Sequence, residues 1–459
     1  MPTAADRAAR ALAFRLLGRV RGGELELVEG GRVHRFGRPD PGDGRPPLRA
    51  RVEVRDPAFY RALLRGSAAA GAAYADGLWE CDDLVALVRI GARAMDAADR
   101  VRERLLPLTA PVQRTAWRAR ANTRARARRR ISAHYDLGNE LFASFLDPTL
   151  SYSCLVYERP DAPIDEAAVA KLDRVCRKLA LGPGDRVLEI GTGWGGFALH
   201  AAANYGCHVT TTTISREQHA HAVRAVADAG LQDRVTVLRE DYRDLRGTYD
   251  KLVSIEMIEA VGWEHLHTFF AVCSQRLAPH GTMLLQAIVY DDRAYRVAKG
   301  ASSFANTLIF PGGALPSVAA IERELGRVGD LRTIQLEDIS GHYVRTLRAW
   351  RERFLASWPR LQGRGYDERF RRLWTLYLAY CEAGFAERRI RDVQMLLAKP
   401  AFTAEPLMPL PAVDGAPGGD AAQVGAGAAP AADGTNAAGA ASPPPAAGAG
   451  GAATPDGAA

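Results

Sequence analysis

At 459 residues, 47% hydrophobic and 25% charged, the chain is too long for one ordinary core and has the make-up of a soluble globular protein, which excludes a disordered or fibrous polypeptide. No apolar run approaches the ~18 residues that a spanning helix needs, and the six cysteines lack Cys-x-x-Cys spacing and read as reduced cytosolic thiols, not a disulfide frame or a metal site. The formal charge of +7 hides an asymmetry: residues 405–459 hold five acids and no Lys or Arg, so outside them 60 basic residues face 48 acidic ones, which points to an anionic surface as partner.

Residues 1–20 interleave Arg7, Arg10 and Arg15 with apolar positions, which predicts an amphipathic helix and not an export signal. Residues 24–36 alternate around Gly30-Gly31 as a hairpin does. Residues 37–50 read as loop and Val52 and Val54 as a further strand. Residues 57–95 read as two helices broken near Gly71 and Gly77. Together these form an N-terminal α+β accessory domain, residues 1–110, with nothing that looks catalytic. An Arg-rich linker, 111–132, follows, and its residues 114–130 carry eight arginines and no acid. Such a run suits an anionic leaflet, where each cation contributes about 1 kcal/mol. It contains Trp117 but no interleaved aromatics for base stacking, which favours lipid over nucleic acid.

From 165 to 290 helices and strands alternate. A helix at 165–180 precedes a short apolar strand, Val187-Leu-Glu-Ile190. The chain then turns through Gly191, Gly193, Gly195 and Gly196 into an Ala-rich helix ending near Tyr205. Strand, glycine turn, helix is the entry of a nucleotide-binding unit. The glycine spacing lacks the rest of a dinucleotide fingerprint, and no Gly-Lys-Ser/Thr follows, so the loop suits a nucleoside without a pyrophosphate. Glu189, at the strand's end, can order the loop or face a cationic ligand. S-adenosylmethionine satisfies both conditions. Further strands are expected at 208–213, 234–238, 251–256 and 282–289, with helices from Ser215 and at 263–277. Five strands with crossover helices imply a parallel sheet covered on both faces, its ligand beyond the strands' C-terminal ends. Residues 291–330 read as an inserted cap. A strand at 332–339, helices at 341–358 and 366–389 and a strand at 392–398 follow. The Ala/Gly/Pro-rich tail, 405–459, is expected to be disordered.

Several motifs now converge: His134-Tyr-Asp-Leu-Gly-Asn139, Leu146-Asp-Pro-Thr-Leu-Ser-Tyr-Ser-Cys154, Leu188-Glu-Ile-Gly-Thr-Gly-Trp-Gly-Gly196, Ile214-Ser-Arg-Glu-Gln218, Glu256-Met-Ile-Glu-Ala-Val-Gly262, Phe310-Pro-Gly-Gly-Ala-Leu-Pro316, His342-Tyr-Val-Arg-Thr-Leu347 and Tyr380-Cys-Glu-Ala-Gly-Phe385. Over residues 130–400 the chain resembles the cyclopropane-fatty-acyl-phospholipid synthase family, which uses S-adenosylmethionine to modify lipid double bonds. The implied fold class is α/β: a class I SAM-dependent methyltransferase (Rossmann-like) sheet with a helical cap at 133–404, plus the small α+β N-terminal domain.

The resemblance implies a cofactor site in which Tyr152 and Ser153 close over the methionine part, with Gly191 and Gly193 beneath it. Thr213 and Gln218 hold the ribose side, and Tyr242 and Arg243 contact the adenine. It also implies a bound bicarbonate base, held by Glu259, Tyr343 and the backbone of Cys154 and Ile288. Cys381 aligns with a cysteine long labelled catalytic, but the reaction needs no covalent enzyme intermediate. A cis alkene is a poor nucleophile, so a sulfonium methyl must be presented to it in a dry pocket. The resulting carbocation is stabilised by aromatic faces, for which Tyr135, Trp194, Phe304, Tyr343 and Phe385 are candidates. A base then removes a proton from the added methyl and the ring closes.

Two departures concern the product. Gln286 stands where cyclopropane-forming members usually have His, and Ala260 follows Glu259 where they have His. Gln286 cannot carry a proton at neutral pH. The Gln/Ala pattern resembles a branch that includes makers of methylene- and methyl-branched chains, so ring and branch both stay open. The expected partners are unsaturated phospholipid acyl chains and an anionic membrane surface at the cytoplasmic face, without nucleic acid; a homodimer is left open. A nucleic-acid methyltransferase would carry an Asn-Pro-Pro-Tyr or Cys motif after the fourth strand, where Glu256-Met-Ile-Glu259 stands. A non-catalytic lipid-binding scaffold is the remaining alternative.

Overall fold

The computed structural model describes residues 3–38, 44, 46–95, 99, 102–104 and 138–404, all within one compact unit, Met1–Gly418. The Arg-rich run, Tyr135 and the tail from 405 lie outside the described residues.

The chain opens with a helix, Ala4–Leu17, started by a capping box between Thr3 and Asp6. The expected hairpin follows as β1 (Gly23–Glu29) and β2 (Arg32–Arg38). Its two turn residues, Gly30 and Gly31, both have positive φ, +53° and +79°, which matches the twist of the flanking strands. β3 (Arg49–Val54) runs parallel to β1, and a short β4 (Trp79–Cys81), not anticipated from sequence, pairs antiparallel with β3. The four strands lie in the order β2-β1-β3-β4. Their buried face (Leu25, Leu27, Ala50, Val52) packs on Phe59, Tyr60 and Trp79.

Between β3 and β4 lie the helices Ala58–Leu64 and Ser67–Ala75, and a third helix, 84–95, follows β4. The break expected near Gly71 falls instead at Gly66, whose φ of +100° ends the first helix. Gly71 lies inside the second helix, where a Cβ would collide with the Phe304 ring. That glycine is there for packing across the molecule, not for a turn.

The main sheet contains β5 (Arg186–Ile190), β6 (His208–Thr212), β7 (Val235–Leu238), β8 (Tyr249–Ile255), β9 (Leu277–Tyr290), β10 (Arg332–Asp338) and β11 (Ile390–Ala398). Their order is β10-β11-β9-β8-β5-β6-β7. β5 to β9 are mutually parallel, as the alternation predicted, and β11 runs antiparallel between β9 and β10. β9 starts earlier than expected, at Leu277, because the helix before it ends at Arg276. Strand order reverses between β5 and β8, so a crevice opens at their C-terminal ends. β5 is buried along Val187–Ile190, as a central strand must be.

The cap comprises a helix, Asp292–Ala298, a π-helical turn, Ala305–Ile309, and a helix, Val318–Val328. Two long helices, Ser340–Gln362 and Glu368–Ala386, then return the chain to β11. They bury Trp350, Phe354, Trp374 and Leu378 in one aromatic-rich core. No helix among the described residues is long and apolar enough to cross a membrane.

Buried ion pairs tie the N-terminal strands and helices to these long helices. Arg372 donates to the carbonyls of Tyr74 (2.6 Å) and Trp79 (3.0 Å) and pairs with Glu80 (2.5 Å). Glu387 receives both Arg89 (2.8 Å) and Arg93 (2.9 Å).

Candidate active site

The crevice at the β5–β8 switch opens into one cavity of about 1120 Å³. Tyr152, Ser153, Glu189, Gly191, Gly193, Thr213, Gln218, Tyr242 and Arg243 all line it. Gly191 needs its missing side chain: φ is +109° and a Cβ would come within 3.2 Å of Met257. The polar groups beyond β6 are organised by the next helix. Ser215 caps that helix by accepting from the Gln218 amide, and the Thr213 hydroxyl donates to Gln218 Oε1 at 2.8 Å.

Beyond β7, Asp241 caps a short turn and binds Arg243 in a bidentate pair at 2.7 and 2.6 Å. Tyr242 rests edge-on against Phe269 with ring centroids 5.6 Å apart, which leaves an aromatic wall beside the pair. Asp241, buried and at the cavity, was not picked out as a site residue. Its part in the site follows from a charge partner two residues away that points back to it.

Glu189 is buried, and its Oε2 has no hydrogen-bond partner among the described residues. Burial pushes its carboxyl up to about 8, against a hydrogen bond from Thr211 and the charge of Lys171. An orphaned acid beside the glycine corner is completed by a cationic or amine-bearing ligand. Together with the ordered hydroxyls and the aromatic wall, these residues fit S-adenosylmethionine. Lys171, itself buried, donates to Ser153 at 3.1 Å and holds that segment over the cavity.

A second group of residues converges at the ends of β8 and β9. Glu256 sits at φ +47°, a left-handed conformation that costs a side-chain-bearing residue energy. Its Oε1 accepts from the Cys154 backbone N–H (2.7 Å) and from Gln286 Nε2 (2.8 Å). Its Oε2 accepts from the Tyr343 hydroxyl at 2.6 Å. Behind it, Gln286 is fixed by Asp392 Oδ2 (3.2 Å) and by the Gln394 amide (3.0 Å), both on β11. Glu259 accepts from the Ile288 N–H at 2.5 Å through Oε1, and its Oε2 is without a partner among the described residues. Burial, then the neighbouring Glu256, pushes Glu259 up to about 8. Asp392 is driven well above the carboxylate range by burial and by Glu256 and Glu259. Glu256 is also raised by burial, but three donors favour its ionised form. The arrangement therefore sets the Glu256 carboxyl, with three donors on it, at the cavity wall and the Asp392 carboxyl behind Gln286.

Glu259, Ile288, Tyr343 and Cys381 line the cavity, but Cys154 and Gln286 do not: both are fully buried behind its wall, where they support Glu256. The bicarbonate expected here does not fit the residues as they stand. The Cys154 N–H and the Tyr343 hydroxyl are committed to Glu256, and the Ile288 N–H to Glu259. Glu256 belongs to the Glu256–Gly262 motif but was not picked out as a site residue. Burial holds the Cys381 thiol up at about 12, so it carries little thiolate at neutral pH. Trp194, Phe304, Tyr343 and Phe385 all face the cavity, with Tyr343 stacked on Phe385 at 4.5 Å. No group of three or more His, Cys, Asp or Glu suited to a metal occurs among the described residues.

Residues 122–395 match the family model described as mycolic acid cyclopropane synthetase. The chain is 40% identical over 323 residues to the tuberculostearic acid methyltransferase UfaA1 of Mycobacterium tuberculosis, covering 69% of this chain and 75% of that protein. It is 38% identical over 352 residues to the cyclopropane-fatty-acyl-phospholipid synthase of Escherichia coli, covering 75% and 86%. Among solved structures it resembles mycolic acid cyclopropane synthase CmaA1 complexed with SAH and CTAB, with a TM-score of 0.55, 30% identity, and coverage of 59% of this chain and 98% of that one. The chain therefore belongs to the mycolic acid cyclopropane synthetase family and is, in fold and in kind, a class I S-adenosylmethionine-dependent methyltransferase.

Proposed function

We propose that this enzyme alkylates the cis double bond of unsaturated phospholipid acyl chains and closes a cyclopropane ring there. The observation that carries the reading is the single cavity: it joins the polar glycine corner to a wall of Trp194, Phe304, Tyr343 and Phe385 without a break. S-adenosylmethionine, when bound at Tyr152, Ser153, Gly191, Gly193, Thr213, Gln218, Tyr242 and Arg243, supplies an electrophilic methyl group. Glu189 completes the polar side of that site. The aromatic faces hold the acyl chain, exclude water and stabilise positive charge developing on it. Phospholipid as the substrate form is supported by the likeness to the cyclopropane-fatty-acyl-phospholipid synthase of Escherichia coli.

The N-terminal part, 1–110, is proposed as an accessory domain on the 133–404 catalytic domain, and the linker as a basic contact to the cytoplasmic face of an anionic membrane. A methyl- or methylene-branched product is the second reading, favoured by Gln286 and Ala260 and by the likeness to a tuberculostearic acid methyltransferase. The test is product analysis with methyl-labelled S-adenosylmethionine and vesicles of a monounsaturated phosphatidylglycerol. Two labelled hydrogens in a three-membered ring support cyclopropanation, and two in a terminal =CH2 support the branched reading. No label in lipid from soluble, cofactor-binding enzyme overturns both.

A further inference from the structure

We propose that Glu256 is the base of this enzyme, a carboxylate built into the chain where a bicarbonate ion would otherwise be borrowed. The inference rests on the acyl-alkylation reading above and names the group that finishes the reaction.

Three observations meet at this side chain. First, the donors that would hold a planar oxyanion are already spent on it: the Cys154 N–H and Gln286 on Oε1, the Tyr343 hydroxyl on Oε2. Second, the carboxylate faces the reacting space. Glu256 lines the cavity while Gln286 and Cys154 stand behind it, so the supporting layer aims it inward. Third, its backbone is held at φ +47°, and strain of that kind persists where surrounding structure enforces it, commonly at functional sites. Asp392, Gln394 and Gln286 supply that enforcement from β11 and β9.

The step balances without another reactant. The alkene π pair forms a carbon–carbon bond to the methyl group as the carbon–sulfur bond breaks, its electrons leaving on sulfur. The cation left on the acyl chain acidifies the added methyl. Glu256 Oε2 takes one proton from that methyl, and the released C–H pair closes the ring. Tyr343, hydrogen-bonded to the same oxygen, keeps the carboxylate aimed during the transfer. Asp392, behind Gln286, holds the amide that supports Glu256.

The test uses the full chain, bicarbonate-depleted buffer and monounsaturated phosphatidylglycerol vesicles. Wild-type turnover is expected to be the same with and without added bicarbonate. Glu256→Gln should lose at least about 100-fold in turnover, the lower range for a general base, with no recovery on adding bicarbonate because the amide still fills the pocket. Glu256→Gly, which suits the left-handed backbone, should be slow alone and gain turnover saturably with bicarbonate or formate. Both variants should keep the rise in melting temperature that S-adenosylmethionine gives the wild type. A bicarbonate requirement in the wild type, near-normal turnover of Glu256→Gln, no anion rescue of Glu256→Gly or loss of the cofactor-induced rise overturns the assignment. A wild type that labels no lipid at all refutes the alkylation reading instead, and this proposal falls with it.

Discussion

Glu259 carries a pH signature of its own. Its folded carboxyl ionises near 8, against 4.5 for the free group. An acid raised in this way gives stability that is complete below 4.5 and is lost as pH rises toward 8, because the unfolded chain releases its proton first. Glu189 shares the same window. Glu259→Gln keeps an oxygen for the Ile288 N–H and removes the titration. Its stability relative to wild type should therefore grow between pH 5 and pH 8 in urea unfolding. A difference that does not change with pH would refute the burial of that charge. At the cofactor end, Asp241→Asn breaks a buried bidentate pair with Arg243. It should weaken S-adenosylmethionine binding about tenfold or more, the equivalent of ~1.5 kcal/mol, as measured by calorimetric titration. Unchanged affinity would remove the Asp241–Arg243 pair from the site.

Among elements, the helix Ser67–Ala75 meets the cap at Phe304, whose N–H donates to the Ser67 hydroxyl and whose ring lies against Gly71. Gly71→Val overpacks that contact and should cost about 1–3 kcal/mol. Because Phe304 lines the cavity, turnover should fall with it, whereas Gly326→Val, in a helix where the glycine meets nothing, should spare turnover. Comparable turnover in the two variants would show that the contact is incidental. This glycine also shows where sequence reading stopped. Gly191–Gly196 were readable as a ligand corner because strand, turn and helix are adjacent in the chain, and the periodicity of 165–290 exposed the parallel sheet for the same reason. Gly71 looked like a helix break because the ring that requires it comes from a distant segment. Glu256 was passed over in a quoted motif because its partners lie 30, 87 and 102 residues away, and only the folded sheet assembles them. The antiparallel insertion of β11, which brings Asp392 and Gln394 to Gln286, has no local marker either.

For the molecule as a whole, the N-terminal strands and helices share a core with the two long helices and a cavity with the catalytic sheet. Leu27, Val52, Phe59 and Trp79 line the same space as Glu189 and Tyr343. Glu387, buried between Arg89 and Arg93, joins the two parts. Glu387→Ala leaves two guanidinium groups facing each other without their acid, at a cost of about 3–5 kcal/mol. One cooperative urea transition at a lower midpoint is expected. Two separated transitions would mean that the parts unfold independently and that the shared core contributes little.

The left-handed backbone at Glu256 has an evolutionary consequence. Glycine occupies such a conformation freely, and codons for glutamate and glycine differ by a single nucleotide. A self-sufficient catalyst and one that draws its base from dissolved carbon dioxide are thus one mutation apart, and crossing between them relieves the main chain rather than distorting it. Lineages on either side of that step would differ in how lipid modification responds to carbon dioxide supply while keeping the same fold.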